Sequence, residues 1–189
     1  MLRNEFKIAI RFTLLTTVVL GILYPLAVTA IAHIALRPQA DGELIVTNGQ
    51  VTGSPLIGQN FTSDLYFHGR PSAAGSGYDA TSSGASNYAA SNQKLISRID
   101  GDVARYAAEN KNQPVPIDLV TASGSGLDPD ISPAAAMFQA ARVASARHLP
   151  LATVRALVQR HVQGRQFGFL GEERVNVLLL NMDLDRLTH

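Results

Sequence analysis

Hydrophobic residues are spread unevenly along the chain. From Phe12 to Leu36 there is no Asp, Glu, Lys or Arg, a run of about 25 residues where roughly 20 suffice for a helix to cross a bilayer's hydrocarbon core. His33 stands near the far end, where an imidazole can reach the interface. Tyr24 and Pro25 sit near the middle, and the proline removes a helical hydrogen bond. Two readings of this pair stay open: packing against other membrane helices, or a kink tolerated in lipid. Arg3, Lys7 and Arg11 precede the run with Glu5 as the single acid, and Arg37 follows it. That bias places the N-terminus in the cytoplasm and the rest outside. The expected division is a cytoplasmic N-terminus over 1–11, a transmembrane helix over 12–36 and an extracytoplasmic domain over 37–189. Ala30-Ile31-Ala32 offers a small-x-small cleavage site. The apolar stretch is much longer than the roughly 7–15 residues of a signal peptide, which favours an uncleaved anchor.

Beyond the anchor the pattern alternates. Glu43–Thr47 and Gln50–Gly53 flank Asn48-Gly49, a signal for a two-residue hairpin turn. Leu56–Phe61 continues as strand or loop. The Gly, Ser and Ala residues of 72–86, with Tyr78 and Asp79 among them, predict a long loop. Leu95, Ile99, Val103 and Tyr106 recur at helical spacing and predict a helix over 91–109. Asn110 to Pro116 breaks that pattern, and Ile117–Thr121 is a strand candidate. Ser132-Pro133 has the form of a helix cap followed by proline at the first position, opening a helix to about Arg147. A second helix ends near His161, with Val154, Leu157, Val158 and His161 on its apolar face and Gly164 as its stop. Val175–Asn181 reads as a buried strand. The expected fold is α+β, a small sheet packed by helices after one N-terminal span.

Composition narrows the function. The 189 residues are 46% hydrophobic and 16% charged, with a net charge of +1. This is not the clustered basic excess of a nucleic-acid binder. With no cysteine, disulfides, thiolate metal sites and cysteine nucleophiles are excluded. The sequence contains no phosphate-binding Gly-x-x-x-x-Gly-Lys loop, no Gly-x-Ser-x-Gly elbow and no histidine pair at metal-ligand spacing. His33, His68, His148, His161 and His189 are scattered and read as surface or packing residues. No catalytic residue and no metal ligand are assigned, and an anchored hydrolase lacks the nucleophile, base and orienter it needs.

Two segments carry candidate chemistry. Tyr66-Phe67-His68-Gly69-Arg70-Pro71 joins aromatics to a preorganised guanidinium fork. It is either a contact for a partner or a tight turn with a stacked arginine. Ser123-Gly124-Ser125-Gly126 leads towards a helix start, where backbone amides can cradle an anion. The plainer reading is a flexible connection. Gln139, on the following helix, is a further polar candidate, although a helix-surface glutamine usually does nothing.

Taken in order, these motifs resemble the C subunit of the bacterial high-affinity potassium-importing P-type ATPase, the Kdp system. The resemblance runs from Tyr24-Pro25 through Leu56–Phe61, Tyr66–Ala73, Thr121–Pro129 and Ile131–Ala135 to Phe167–Glu172 and Arg174–Leu178. It implies a non-catalytic subunit in the inner membrane with its main domain in the periplasm. The implied partners are a channel-like potassium-translocating subunit, an ATP-hydrolysing P-type subunit and a small membrane peptide. The family's role is assembly and a raised ATP affinity of the pump subunit, a catalytic chaperone. No cofactor is bound firmly, and ATP is implied through the partner. Ser123, Gly124, Ser125, Gly126 and Gln139 are then nucleotide or anion candidates, and Tyr24, Pro25, Tyr66, Phe67, His68 and Arg70 partner contacts. ATP is cytoplasmic, and about ten residues before the span are too few for a nucleotide pocket, so an effect on ATP would travel through the membrane helices. A second expectation is a cap over the outer mouth of the translocating subunit, handling potassium near Asp79, Asp128 and Asp130 through oxygen ligands.

Overall fold

The structure is a computed structural model that describes residues 2–47, 49–110 and 113–187. Asn48 of the hairpin turn, part of the break after Asn110, and His189 lie outside the described residues. The chain divides into two compact units, Met1–Leu44 and Ile45–His189.

The first unit is helical almost throughout. α1 (Leu2–Val18) runs through a π-helical turn (Val19–Leu23) into α2 (Tyr24–Ala35), and a short α3 (Arg37–Ala40) follows. The continuous stretch Arg3–Ala35 is long and apolar enough to cross a membrane, with a mean hydropathy of 2.2 and none of its most apolar window buried. The helix thus begins well before Phe12, since hydropathy marks where lipid could end, not where helical hydrogen bonds end. Pro25 stands in the first turn of α2, directly after the π turn. Lacking an N–H, it cannot serve the carbonyl one turn back, and a widened turn is a recognised way to accommodate that loss.

The second unit opens on the expected hairpin. β1 (Ile45–Thr47) pairs antiparallel with β2 (Gln50–Gly53), with Thr47 opposite Gln50 and Gly49 at φ +79°. No further strand or α-helix occurs among the described residues until Asn92 caps α4 (Gln93–Glu109), its side chain accepting from the Lys94 N–H. Tyr106 is buried and Leu95 and Ile99 half-buried, but Val103 is 39% exposed. The inward position is held instead by Asp102, whose side chain is 21% exposed.

Ile117–Thr121 is not a strand. Ile117–Leu119 is a 3-10 turn. The two residues buried there, Leu119 and Val120, are adjacent, whereas a strand sends neighbours to opposite faces. The Thr121 hydroxyl donates back to the Ile117 carbonyl, and the Asp118 carboxylate accepts from the Ser132 N–H at 2.6 Å and its hydroxyl at 3.1 Å. Ser132 in turn caps α5 (Pro133–Ala146), as expected, accepting from the Ala135 N–H at 3.0 Å. α6 (Leu151–His161) buries Val154, Leu157 and Val158. It ends without help from Gly164, because Val162 is already extended.

A three-stranded antiparallel sheet is built from very short strands, β3 (Asp130–Ile131), β4 (Val162–Gln163) and β5 (Arg174–Asn176), in the order β3-β5-β4. The expected strand Val175–Asn181 is mostly helix, since α7 spans Val177–Arg186. Asn176 makes the switch: its side-chain oxygen accepts from the Leu179 N–H, capping α7. The buried residues Val177, Leu178, Leu180, Asn181 and Leu184 then fall on one helical face. The core lies between α5, α6, α7 and the small sheet, and includes Phe67, Val143, Leu157, Val175 and Leu180.

Candidate functional site

Residues 64–70 form a strap across the domain, a turn closed by the Tyr66 N–H on the Ser63 carbonyl followed by irregular backbone from Phe67, with no strand beside it among the described residues. Two buried carboxamides replace the missing strand. Asn181 accepts from the Phe67 N–H at 2.9 Å and donates to the Phe67 carbonyl at 3.0 Å. Gln139 does the same for His68, at 2.8 and 3.1 Å. Two arginines of the α5 segment complete the clamp. Arg142 donates to the carbonyls of Asp64 and Tyr66, to Gln139 Oε1 and to Glu109. Arg147 donates to the Leu65 carbonyl and to Asp185, and its guanidinium lies 4.7 Å from the Tyr66 ring centre.

This places the first set of candidates. Phe67 and Gln139 are fully buried, so the ring serves the core and the carboxamide serves the strap. Tyr66 is half-buried beneath Arg147, its hydroxyl donating to Asp185. His68 is half-buried and its Nε2–H donates to the Ser63 carbonyl. Burial, reinforced by the Arg142 charge, holds its pKa below the usual histidine value. Arg70 points its fork at Asp128 (2.9 Å) and at the backbone and hydroxyl of Thr121.

The Ser-Gly stretch is tied to the same strap. Ser72 Oγ donates to the Gly126 carbonyl at 2.6 Å and accepts from the Tyr78 N–H, while the Tyr78 hydroxyl donates to the Arg70 carbonyl. Burial and the Asp128 charge push the Tyr78 pKa up to about 12. Gly126 takes φ +67°, where an added Cβ would meet Ala74 N at 2.7 Å and the Gly84 carbonyl at 2.8 Å. The N–H groups of Gly126 and Leu127 donate to the Ser123 and Ser125 hydroxyls. Ser123, Gly124 and Ser125 line an open recess of about 550 Å³ with Leu56, Ile57 and Asp128. Tyr24 and Pro25 belong to the first unit, where Tyr24 is 63% exposed.

Sequence reasoning overlooked Arg142, Arg147 and Asn181. The available signal was a polar residue at a core position of an apolar helix, which Gln139 and Asn181 both present. It also overlooked the accessibility of the Phe167–Leu170 tip. Gln166 and Leu170 exchange both backbone hydrogen bonds, and Arg165 pairs with Glu172 at 2.8 Å. At the turn, Phe167 takes φ +53° and is 86% exposed, and Phe169 is 71% exposed. A bulky side chain at positive φ is an outlier held by its surroundings.

Residues 6–186 match the family model described as K+-transporting ATPase, c chain. A potassium-transporting ATPase KdpC subunit of Acidobacterium capsulatum is 55% identical over 97% of this chain and 99% of its own length. The subunit of the same name from Koribacter versatilis is 51% identical over 97% of this chain and 95% of its own. That of Caulobacter vibrioides is 56% identical over 90% and 87%.

Proposed function

Because the chain belongs to the c-chain family of K+-transporting ATPases, we propose that it is the non-catalytic accessory subunit of a high-affinity, ATP-driven potassium import complex. In this reading it is needed for assembly and raises the ATP affinity of the ATP-hydrolysing subunit. Its partners are that subunit, a channel-like potassium-translocating subunit and a small membrane peptide.

The observation that carries the reading is the Phe167–Leu170 tip. It presents two aromatic rings and Leu170 to solvent on a turn closed by paired backbone hydrogen bonds and an ion pair. Such a surface suits contact with another protein. The apolar helix Arg3–Ala35 adds a second surface suited to lipid and partner helices. The surplus of Arg3, Lys7 and Arg11 over Arg37 supports a cytoplasmic N-terminus and a periplasmic domain. Ser123–Gly126 would then be separated from cytoplasmic ATP, so the membrane helix is the route by which ATP affinity is changed.

The potassium-handling cap is the weaker alternative. Asp128 faces Arg70 at 2.9 Å and Asp130 faces Arg174 at 3.1 Å, so both carboxylates are already matched by cations. Asp79 caps a 3-10 turn by accepting from Thr81.

Full-length chain used as bait in membranes containing the other subunits tests the proposal. Both the translocating and the ATP-hydrolysing subunits should co-purify with it; recovery of neither would refute the reading.

A further inference from the structure

A second cavity, of about 370 Å³, opens between the strap and α4. It sits at the small end of the roughly 300–1,000 Å³ range of ligand sites. Its α4 wall carries Arg98, Asp102, Arg105 and Tyr106. Arg98 donates to one oxygen of Asp102 at 2.8 Å and Arg105 to the other at 3.3 Å. Two guanidinium groups therefore share one carboxylate, and each uses one N–H of its five. Neither has another hydrogen-bond partner among the described residues. The Arg105 guanidinium also lies 4.5 Å from the Tyr106 ring centre.

Tyr106 supplies an independent observation. It is 2% exposed and lines this cavity, yet its hydroxyl has no hydrogen-bond partner among the described residues. No buried side-chain polar atom lacks a partner among the described residues, so the Tyr106 hydroxyl is the part of this residue that reaches the solvent of the cavity, where it can donate to an acceptor that enters. The Tyr78 hydroxyl is already used on the Arg70 carbonyl. A cation is a poor fit, because the lining sets one carboxylate, Asp102, against Arg98, Arg105 and Arg70, the last already paired with Asp128.

We propose that this cavity binds a small oxyanion, a phosphate or carboxylate group, held by Arg98 and Arg105 with a hydrogen bond from Tyr106. Guanidinium forks match such oxygens bidentately. The site is distinct from the Ser123–Gly126 recess and does not depend on the subunit reading.

The test uses the full chain in uncharged maltoside micelles, with phosphate or acetate replacing chloride at constant ionic strength. Tyrosine emission can report binding because the chain has no tryptophan, and calorimetry gives an independent affinity. A third arm adds phosphatidylglycerol to the micelles. Saturable binding of phosphate or acetate is expected. It should weaken at least tenfold in the Arg98→Gln/Arg105→Gln double variant and about threefold to tenfold in Tyr106→Phe. Tyr106→Phe keeps the ring and removes only the unpartnered hydroxyl, so its unliganded melting temperature should not fall. Binding seen only with the lipid, and lost in the double variant, would support the site with a headgroup as its source. No response beyond chloride in any arm, or a response unchanged in the double variant, would overturn the proposal.

Discussion

Gln139 and His68, 71 residues apart in sequence, pair as two strand residues would. The carboxamide of one accepts the backbone N–H of the other at 2.8 Å and donates to its carbonyl at 3.1 Å. The glutamine is fully buried on α5. Gln139→Ala strands both backbone groups of His68 and removes an acceptor from Arg142. It should cost about 1–3 kcal/mol, read as a lower denaturation midpoint. Gln139→Glu should not restore stability, because it turns an oxygen towards the His68 carbonyl. An unchanged midpoint in Gln139→Ala would mean that the pair does not hold the strap.

The Ser-Gly loop is built, not slack. Gly126→Ala should destabilise by about 1–2 kcal/mol from its left-handed backbone alone, and further because its Cβ has no room against Ala74 and Gly84. Gly124→Ala, with nothing within 4 Å of its added Cβ, should be close to neutral. Parallel melting curves check this, and equal effects of the two substitutions would contradict it.

His68 links the strap to pH. Its folded pKa is lowered from 6.5 by burial and by the Arg142 charge, so the fold disfavours the protonated ring. The contribution is fully present above pH 6.5 and is lost as pH falls through that value towards the folded pKa. Melting temperature should drop between pH 7.5 and 5.5, and the slope should be shallower in His68→Gln. Identical slopes would remove His68 from the explanation.

The Phe167–Leu170 tip should be dispensable for folding. Phe167→Ser/Phe169→Ser removes rings that are 86% and 71% exposed, so the melting temperature should change little. Co-purification with the larger subunits should fall sharply. Retained association would place the docking surface elsewhere.

The parts legible in the sequence were those fixed by local rules. Lack of charge marked the apolar helix, Ser132-Pro133 marked the start of α5, and the spacing of Val154, Leu157 and Val158 marked the buried face of α6. The failures have physical causes. A run such as Val177-Leu178-Leu179-Leu180 is apolar at every position, so it shows no period, and only the cap made by Asn176 separates helix from strand. Val103 and Asp102 are neighbours on α4, and the ion pairs with Arg98 and Arg105 place the charged one at the cavity. The strap escaped notice because its hydrogen bonds join residues 71 to 114 positions apart, from side chains to backbone. No local pattern encodes such pairs.

The most direct measurement is potassium-stimulated ATP hydrolysis by the purified complex, with and without this chain, across ATP concentrations. The expected result is that omission either raises the KM for ATP or leaves partners that no longer assemble. An assembled complex with the same KM and the same maximal rate in its absence would contradict the assignment as an accessory subunit.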